Sequence, residues 1–416
     1  MRPVTVTAIV IGAGHCGLAM SRRLSERGVD HIVLERGRVA NSWRTERWRS
    51  LRLLTPNWQT GLPGDPYAGP EPDGFMDMPE VTRRLEGYAA RIDAPVRTDA
   101  RVLAVRPDGG GYRLETTQGD FRCSNLVLAS GAGNIANVPA AAAEFPRRVQ
   151  AFTPMTYKRP SDLPNGGVLI VGASASGVQL AQEVQASGRQ VVLAVGEHVR
   201  APRSYRGRDI QRWLQTLGVL DQRWDEVDDI NRVRRTPSLQ LSGGRPSRTL
   251  DLNALTESGV RLAGRLMGVR EGKAQFSGSL ANVCAAADLK MNRLLDAIDA
   301  HIEAAGLREV VGPKLRLPAT RLPPDPMLEL DLTNGEIGSV IWATGYRPDH
   351  SWLHLPVFDR KGRLRHKGGV VDAPGLYAMG LPFMRKRKST LIDGAGDDAE
   401  ALAGHLVGAL RRRQVA

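Results

Sequence analysis

Two glycine-rich segments, each placed after an apolar run, contain the residues whose types and spacing could do chemistry. In the first, Gly12, Gly14 and Gly17 have the spacing GxGxxG. The first glycine allows a tight turn, the second lets the backbone approach a pyrophosphate, and the third permits close packing of helix on strand. Glu35 ends the next apolar run, where a carboxylate can accept hydrogen bonds from a ribose diol. We therefore predict a dinucleotide site near the start of the chain.

The second segment, GASASG at 172–177, repeats this arrangement about 160 residues later. Ser174 replaces the middle glycine, but apolar runs again precede the turn and follow the helical pattern behind it. A repeated strand–turn–helix–strand unit is typical of a protein that binds two dinucleotides. We predict cofactor contacts at Gly172, Ser174, Ser176 and Gly177.

The residues after the second turn bear on which nicotinamide dinucleotide binds there. No carboxylate ends the apolar run 190–196, and several basic residues follow it. An arginine at this position can pair with a 2′-phosphate, so we predict that Arg200 and Arg203 contact NADPH. Glu197 is the opposing observation, and it leaves NADH as an alternative.

Composition excludes several classes of protein. The 416 residues, of which 42% are hydrophobic and 24% charged, suit two globular domains. No apolar stretch approaches the ~20 residues that cross a bilayer. The first apolar run has no small-residue cleavage site after it, so we expect a cytoplasmic protein. The net charge of +13 is spread along the chain, and we expect no nucleic-acid partner.

The cysteines and histidines exclude two further kinds of site. Cys16, Cys123 and Cys284 are far apart in sequence and form no CxxC pair, which excludes a reductase that works through a dithiol. Histidines and cysteines do not cluster, so we predict no metal site. The sequence identifies no catalytic side chain.

The order of the apolar runs predicts an α/β fold with two Rossmann-like dinucleotide-binding domains, the first interrupted by the second. The proline-rich stretch 149–166 and the return strand VIWATGYRP mark where the chain is expected to cross between them. We predict a first domain formed by residues 1–160 and 325–416. Residues 161–324 would form the second domain, with a helical insertion at about 277–306.

The succession GAGHCG, GASASG and WATGY resembles the class B flavin-dependent monooxygenases, which include flavin-containing monooxygenases and plant indole-pyruvate monooxygenases. Residues 42–63 are similar to the segment that runs along the flavin in those families, and residues 380–399 are similar to bacterial flavin oxidoreductases. The resemblance covers nearly the whole chain. It implies FAD in the first domain and NADPH in the second.

The resemblance also implies cofactor contacts by position. Those for FAD are Gly12, Gly14, Gly17, Glu35, Trp43 and Thr55, and those for NADPH are Gly172, Ser174, Gly177, Arg200 and Arg203. Thr344 and Gly345 would lie where the chain returns to the flavin domain. Further predicted cofactor contacts are Arg36, Arg44, Gly131, Ser176 and Gly380.

The activity implied by the resemblance begins with hydride transfer from NADPH to FAD and capture of molecular oxygen as a C4a-peroxyflavin. A small organic substrate would then be oxygenated at nitrogen, sulfur or a carbonyl carbon. The family fingerprint before the second turn contains a histidine, whereas residues 144–160 contain an aromatic residue, Tyr157, but no histidine or glycine. Two alternatives therefore stay open: an NADPH-dependent flavin reductase or dehydrogenase with another acceptor, and a flavin-binding redox sensor without turnover. A homodimer also stays open.

A run of four basic residues, 385–388, follows a segment that the expected fold brings towards the flavin. Positive charge at that position would stabilise an anionic reduced flavin. A solvent-exposed charge run is the alternative interpretation.

Overall fold

The computed structural model describes residues 3–244 and 249–415; the other positions of the two predicted domains lie outside the described residues. The strands, in chain order, are β1 (Val4–Ile11), β2 (His31–Leu34), β3 (Val96–Arg97), β4 (Val102–Asp108), β5 (Gly111–Thr116), β6 (Gly119–Leu128), β7 (Ile135–Ala136), β8 (Gln150–Phe152), β9 (Gly167–Val171), β10 (Val191–Ala194), β11 (Ser204–Tyr205), β12 (Arg208–Asp209), β13 (Arg261–Ala263), β14 (Leu266–Arg270), β15 (Lys273–Phe276), β16 (Glu329–Asp331), β17 (Ile337–Trp342), β18 (Tyr346–Arg347), β19 (His366–Lys367), β20 (Val370–Val371) and β21 (Leu376–Ala378). The α-helices are α1 (His15–Ser25), α2 (Asn41–Thr45), α3 (Met78–Arg91), α4 (Ala175–Ala186), α5 (Ile210–Thr216), α6 (Ile230–Arg234), α7 (Leu252–Glu257), α8 (Leu280–Ala304) and α9 (Gly394–Val415).

Two sheets, each with parallel central strands, organise the chain. The first contains nine strands in the order β19-β20-β21-β6-β1-β2-β3, with β5 also pairing with β6 and β4 pairing with β5. The second contains five strands, all parallel, in the order β13-β10-β9-β17-β8. A helix connects the parallel strands after each glycine turn, α1 between β1 and β2 and α4 between β9 and β10. The predicted α/β fold with two dinucleotide-binding units is confirmed.

The strands before the two glycine turns are the most deeply buried parts of their sheets. Residues 8–10 of β1 have no exposed surface, and neither do residues 168–170 of β9. A parallel strand covered on both faces needs such a continuous apolar run, because neither face meets water. The apolar runs that precede the turns in the sequence thus become the centres of two separate cores.

The chain crosses from the first sheet to the second at a different place from the expected one. Gln150–Phe152 forms β8, an edge strand that pairs with β17, and β17 lies next to β9 in the second sheet. The predicted boundaries at 160 and 325 put both strands in the first domain. The sequence suggested a linker at 149–166 because this stretch contains several prolines. An edge strand of three residues is too short to show a periodic pattern that would indicate otherwise. The full extent of each domain stays a prediction.

Two long helices, α8 and α9, pack against the rest of the chain. In the described part of the chain no helix combines the length and apolar character needed to cross a bilayer. The buried residues of α8 recur at helical spacing, as the sequence pattern suggested for residues 277–306. They are Leu280, Cys284, Ala287, Met291, Leu295, Ile298 and Ile302. Several of them form one cluster with Tyr205 and Trp213, so α8 holds the segment that follows the second dinucleotide turn.

Each helix that follows a glycine turn lies so close to the turn that glycine is required at the contact. A Cβ atom on Gly17 would lie 1.8 Å from the carbonyl oxygen of Gly12. A Cβ atom on Gly177 would lie 1.8 Å from the carbonyl oxygen of Gly172. Both oxygens belong to the backbone, so neither can move aside without moving the turn itself. The third glycine of each motif is therefore a packing requirement.

We expect Gly17→Ala to lower the free energy of unfolding by about 1–3 kcal/mol or more, because the new methyl group must displace the Gly12 carbonyl. Gly404→Ala is the matched control, since a Cβ on Gly404 in α9 meets no atom within 4 Å. Alanine favours a helix over glycine, so the control should gain up to about 1 kcal/mol. Urea unfolding of the two apoproteins, followed by far-UV circular dichroism, measures the difference. Equal stability of the two variants would contradict the proposed contact.

Candidate functional site

The first glycine turn leaves the start of α1 open. Gly12 has φ +108°, and a Cβ on it would lie 2.5 Å from the carbonyl oxygen of Ala129, so the turn requires glycine. Gly14 is the N-cap of α1, and no side chain caps it among the described residues. A Cβ on Gly14 would meet no atom within 4 Å. The free N–H groups of the first helical turn therefore face open space, which suits a pyrophosphate.

This open space belongs to a cavity of about 330 Å³, within the range of small-molecule sites. It lies beyond the carboxyl ends of β1, β2 and β6, where open α/β sheets bind their ligands. Seven of the predicted contact residues line it: Gly12, Gly14, Glu35, Arg36, Trp43, Gly131 and Gly380. The structure thus brings together predicted residues from both ends of the chain.

Glu35 is held at the cavity by two backbone donors. Its Oε2 accepts a hydrogen bond of 2.9 Å from the Ala13 N–H, and its Oε1 accepts one of 3.1 Å from the Gly37 N–H. The side chain is buried. Each carboxylate oxygen keeps a lone pair that can accept a further hydrogen bond. Glu35 therefore both fixes the glycine turn and offers acceptors to a ribose diol.

Five of the residues predicted for the flavin domain or its return segment do not line this cavity. Gly17 packs on Gly12, and Thr55 is buried elsewhere. The Arg44 guanidinium pairs with Glu86 at 2.5 Å. The Thr344 hydroxyl donates to the carbonyl of Asn137, and Gly345 follows it with φ +88°. Direct contact of these residues with a cofactor stays a prediction.

Sequence reasoning missed several residues of the cavity wall. They are Cys16, Arg47, Asp349, Trp352 and Thr390, with residues 100–102. The Arg47 guanidinium lies 5.5 Å from the centre of the Trp43 ring, and burial lowers its pKa. Arg47 lies in the segment 42–63 that resembles the one running along the flavin, but nothing in the sequence distinguishes it from the other residues of that segment, because its position depends on the fold of the irregular stretch after α2. Asp349 could have been found, since it closely follows the return strand β17.

Burial perturbs the titrating groups between the first turn and α9. It raises the pKa of the Asp393 and Asp398 carboxyls to about 6. It lowers the pKa of the His15 imidazole to about 4, so this ring is neutral at pH 7. It also raises the pKa of the Cys16 thiol, with a further contribution from Asp398, so the thiol stays protonated. The two of these side chains that line the cavity, His15 and Cys16, therefore carry no charge at pH 7.

The basic run 385–388 does not line the cavity. Lys386 pairs with Asp221 at 3.0 Å and with Asp397 at 2.8 Å, and Lys388 pairs with the same two carboxylates. Arg385 lies 3.9 Å from Asp398. The charges of the run are thus largely compensated by carboxylates. The structure supports neither a free cationic patch beside a flavin nor an unpaired solvent-exposed run.

The second glycine turn repeats the geometry of the first. Gly172 has φ +107°, and a Cβ on it would lie 2.5 Å from the carbonyl oxygen of Ala343. Ser174 is the N-cap of α4, yet its side chain makes no capping hydrogen bond. The first helical turn, which includes Ser176, therefore keeps free N–H groups, as in α1. Replacing the middle glycine by serine leaves the turn intact because Ser174 has an ordinary extended φ of −81°.

The two arginines predicted to contact a 2′-phosphate are both 1% exposed. Arg200 donates to Asp251 at 2.5 Å, to Asp288 at 2.6 Å and to the Pro318 carbonyl at 2.8 Å. Arg203 pairs with Asp209 at 2.5 Å and also donates to a backbone carbonyl. A phosphate would have to displace these buried carboxylates. The geometry favours a structural role, and the phosphate contact stays a prediction.

Comparison with known proteins agrees with this geometry. Residues 9–226, just over half of the chain, match the family described as pyridine nucleotide-disulphide oxidoreductase. The chain belongs to this family. It is 28% identical to an uncharacterized oxidoreductase, CzcO-like, from Geobacillus kaustophilus, over 97% of this chain and 98% of that protein. It is also 28% identical to the indole-3-pyruvate monooxygenase YUCCA1 of Oryza sativa, over 57% of this chain and 58% of that protein.

A solved structure shares the fold. A variant of a flavin monooxygenase from Stenotrophomonas maltophilia superposes with a TM-score of 0.67 at 18% identity, covering 97% of this chain and 99% of that one. The chain is thus an oxidoreductase with the fold of a two-dinucleotide enzyme. It lacks the dithiol that the family name suggests, because its three cysteines are free, buried and distant in sequence.

We expect Gly14→Val to give a folded but colourless protein, because the added side chain fills the open space at the start of α1. Ser174→Val, the equivalent change at the second turn, should keep the yellow colour. Far-UV circular dichroism checks the fold, and visible absorbance of the purified protein measures bound flavin. Retained colour in Gly14→Val would remove the first turn from the flavin site.

We expect Asp251→Asn to lower the free energy of unfolding by about 3 kcal/mol, because it leaves the buried Arg200 with one fewer compensating charge. Glu257→Gln is the matched control, since its pair with Arg321 is exposed and should contribute about 1 kcal/mol or less. Urea unfolding measures both variants, and initial rates measure the preference for NADPH over NADH. A changed preference without loss of stability would favour the phosphate role.

Proposed function

We propose that the chain is an NADPH-dependent, FAD-containing monooxygenase acting on a small organic substrate. One observation carries the proposal: the same uncapped glycine turn occurs twice, with φ +108° at Gly12 and +107° at Gly172. The first turn opens on the cavity and the second follows the central strand of the other sheet. Two pyrophosphate sites on one chain suit a flavin and a nicotinamide dinucleotide.

The residues fit this pair of cofactors. FAD would be held by Gly12 and Gly14 through the α1 N–H groups and by Glu35 through its ribose. NADPH would be held at Gly172 and Ser174. The family description names a pyridine nucleotide, and the structurally similar enzyme is a flavin monooxygenase. In this proposal the first sheet with its cavity is the flavin unit and the second sheet is the nicotinamide unit.

The proposed overall reaction balances as follows: substrate, molecular oxygen, NADPH and one proton give oxygenated substrate, water and NADP⁺. Bound flavin supplies the hydride acceptance and the electron transfer to oxygen. The protein's own residues would bind and orient the cofactors, and two side chains at the start of α1 would face the flavin without charge. They are the neutral His15 ring and the protonated Cys16 thiol. Excluding water and charge there would limit unproductive release of reduced oxygen.

Oxygenation of the substrate is supported by the sequence similarity to YUCCA1, an indole-3-pyruvate monooxygenase. A reductase or dehydrogenase with another electron acceptor is the second candidate, because residues 144–160 contain no histidine. Tyr157, the aromatic residue of that segment, is buried, and its hydroxyl donates to Glu183 at 3.2 Å. It contributes to the core of the second unit, so the segment offers no replacement for the histidine.

Rapid mixing separates the two candidates. Enzyme reduced anaerobically with NADPH is mixed with oxygenated buffer, and the flavin spectrum is followed. We expect a transient flavin species before reoxidation and, with a turned-over substrate, incorporation of labelled oxygen from O₂ into product. Reoxidation that depends on another acceptor, with no label in any product, would favour the reductase.

Ser174→Val tests whether the electrons that reduce the flavin come from a dinucleotide bound at the second turn. It should keep its flavin and its reduction by dithionite, but lose most of its reduction by NADPH, because the added methyl groups crowd the second turn. Full NADPH reduction of this variant would contradict the assignment of the nicotinamide site.

A further inference from the structure

A second and larger cavity lies beside the cavity at the first glycine turn, which we call the flavin cavity. It is an open basin of about 1720 Å³ between α6, the segment after β18 and the strands β19 and β20. Asp349 lines both cavities, and Leu381 and Pro382 of the basin directly follow Gly380 of the flavin cavity. A ligand bound in this basin, which we call the basic basin, could therefore reach the flavin cavity.

The basic basin has an excess of positive charge. Seven arginine and lysine side chains line it, against three aspartates. Arg363 pairs with Asp359 at 2.7 Å and Arg365 pairs with Asp372 at 3.3 Å. The other five cations make no ion pair with a carboxylate of the described residues: Arg234, Arg235, Arg347, Lys361 and Lys367. A concave surface with this excess attracts and concentrates anions.

Arg234 is the half-buried member of this set. Its guanidinium contacts the Phe383 carbonyl at 3.4 Å and the His366 Nε2 at 3.4 Å, both long for hydrogen bonds. Burial lowers its pKa, and the charge of Arg363 lowers it further. This partly desolvated guanidinium beside a second cation lacks the compensating carboxylates that the buried Arg200 has.

The ring of His366 faces a donor at each of its two nitrogens. Its Nδ1 lies 3.3 Å from the Gly369 N–H, and its Nε2 lies 3.4 Å from the Arg234 guanidinium. Burial and the charge of Arg234 lower the imidazole pKa to about 4, so the ring is neutral at pH 7. A neutral imidazole has one acceptor nitrogen and one N–H. Two donors face its two nitrogens, so the ring can accept a hydrogen bond from only one of them whichever tautomer is present.

We propose that the basic basin binds an oxyanion, a carboxylate or phosphate group carried by a small molecule, between Arg234 and His366. The oxyanion accepts hydrogen bonds from the guanidinium and from the Nε2–H of His366, which leaves Nδ1 free to accept from Gly369. Charge-assisted hydrogen bonds of this kind are about twice as strong as neutral ones. The identification of this ligand as the substrate to be oxygenated rests on the proposed function. The oxyanion site itself does not.

Calorimetry of the flavin-loaded enzyme tests the site without turnover. Citrate and inorganic phosphate are titrated separately at low ionic strength, with NADP⁺ saturating so that the second glycine turn is filled. We expect binding that Arg234→Gln weakens about tenfold or more, since a charge-assisted donor is lost. Arg360→Gln is the matched control: Arg360 is exposed, carries the same charge and does not line the basin, although its neighbours Asp359 and Lys361 do. It should leave the affinity within about twofold.

His366→Phe gives an independent reading if Arg234→Gln folds poorly, and it should weaken the same anion severalfold. Stronger binding of citrate than of phosphate identifies a carboxylate ligand, and the reverse order identifies a phosphate. No heat with either anion in the unsubstituted enzyme would overturn the proposal, as would equal weakening by Arg234→Gln and Arg360→Gln. Because no reductant is present, failure of the monooxygenase assay would leave these results unaffected.

Discussion

The contact between a helix and the turn beneath it is the constraint on which the rest of this structure depends. At Gly17 and Gly177 the start of a helix lies almost on top of a backbone carbonyl. A larger residue would lift the helix, and its free N–H groups would no longer point over the end of the strand. The hydrogen bonds from Ala13 and Gly37 to Glu35 then fix a carboxylate beside those groups. The cofactor cavity is built outward from these few contacts.

The two turns share one geometry, but their surroundings differ. The first opens on a cavity that Asp349, Trp352, Gly380 and Thr390 also line. The second is followed by buried pairs of arginine and aspartate that stabilise the segment after β10. The local backbone therefore makes both sites suited to a pyrophosphate. The residues that distinguish the surroundings of the two turns are mostly distant from them in sequence.

The difference between contacts of near neighbours and contacts of residues distant in sequence explains how much could be predicted from the sequence. The fold class, both turns and Glu35 were predictable, because glycine spacing and apolar runs report contacts between near neighbours. The structural role of Arg200 was not, since Asp251 and Asp288 lie 51 and 88 positions away. Nothing local distinguishes an arginine that meets a phosphate from one that meets a buried aspartate. Likewise Arg47 reaches the cavity through an irregular segment, and the short edge strand β8 carries no periodic signal.

The order of strands in the first sheet has a consequence for how the protein is made on the ribosome. β21 pairs with β6, although some 250 residues separate them along the chain. The second sheet is complete once β17 has been synthesised, whereas the first still lacks three strands and part of the cavity wall. Domains generally fold as units during synthesis. The second sheet can therefore form while the first is unfinished, and the cavity at the first turn has all its lining residues only after Thr390 has been synthesised.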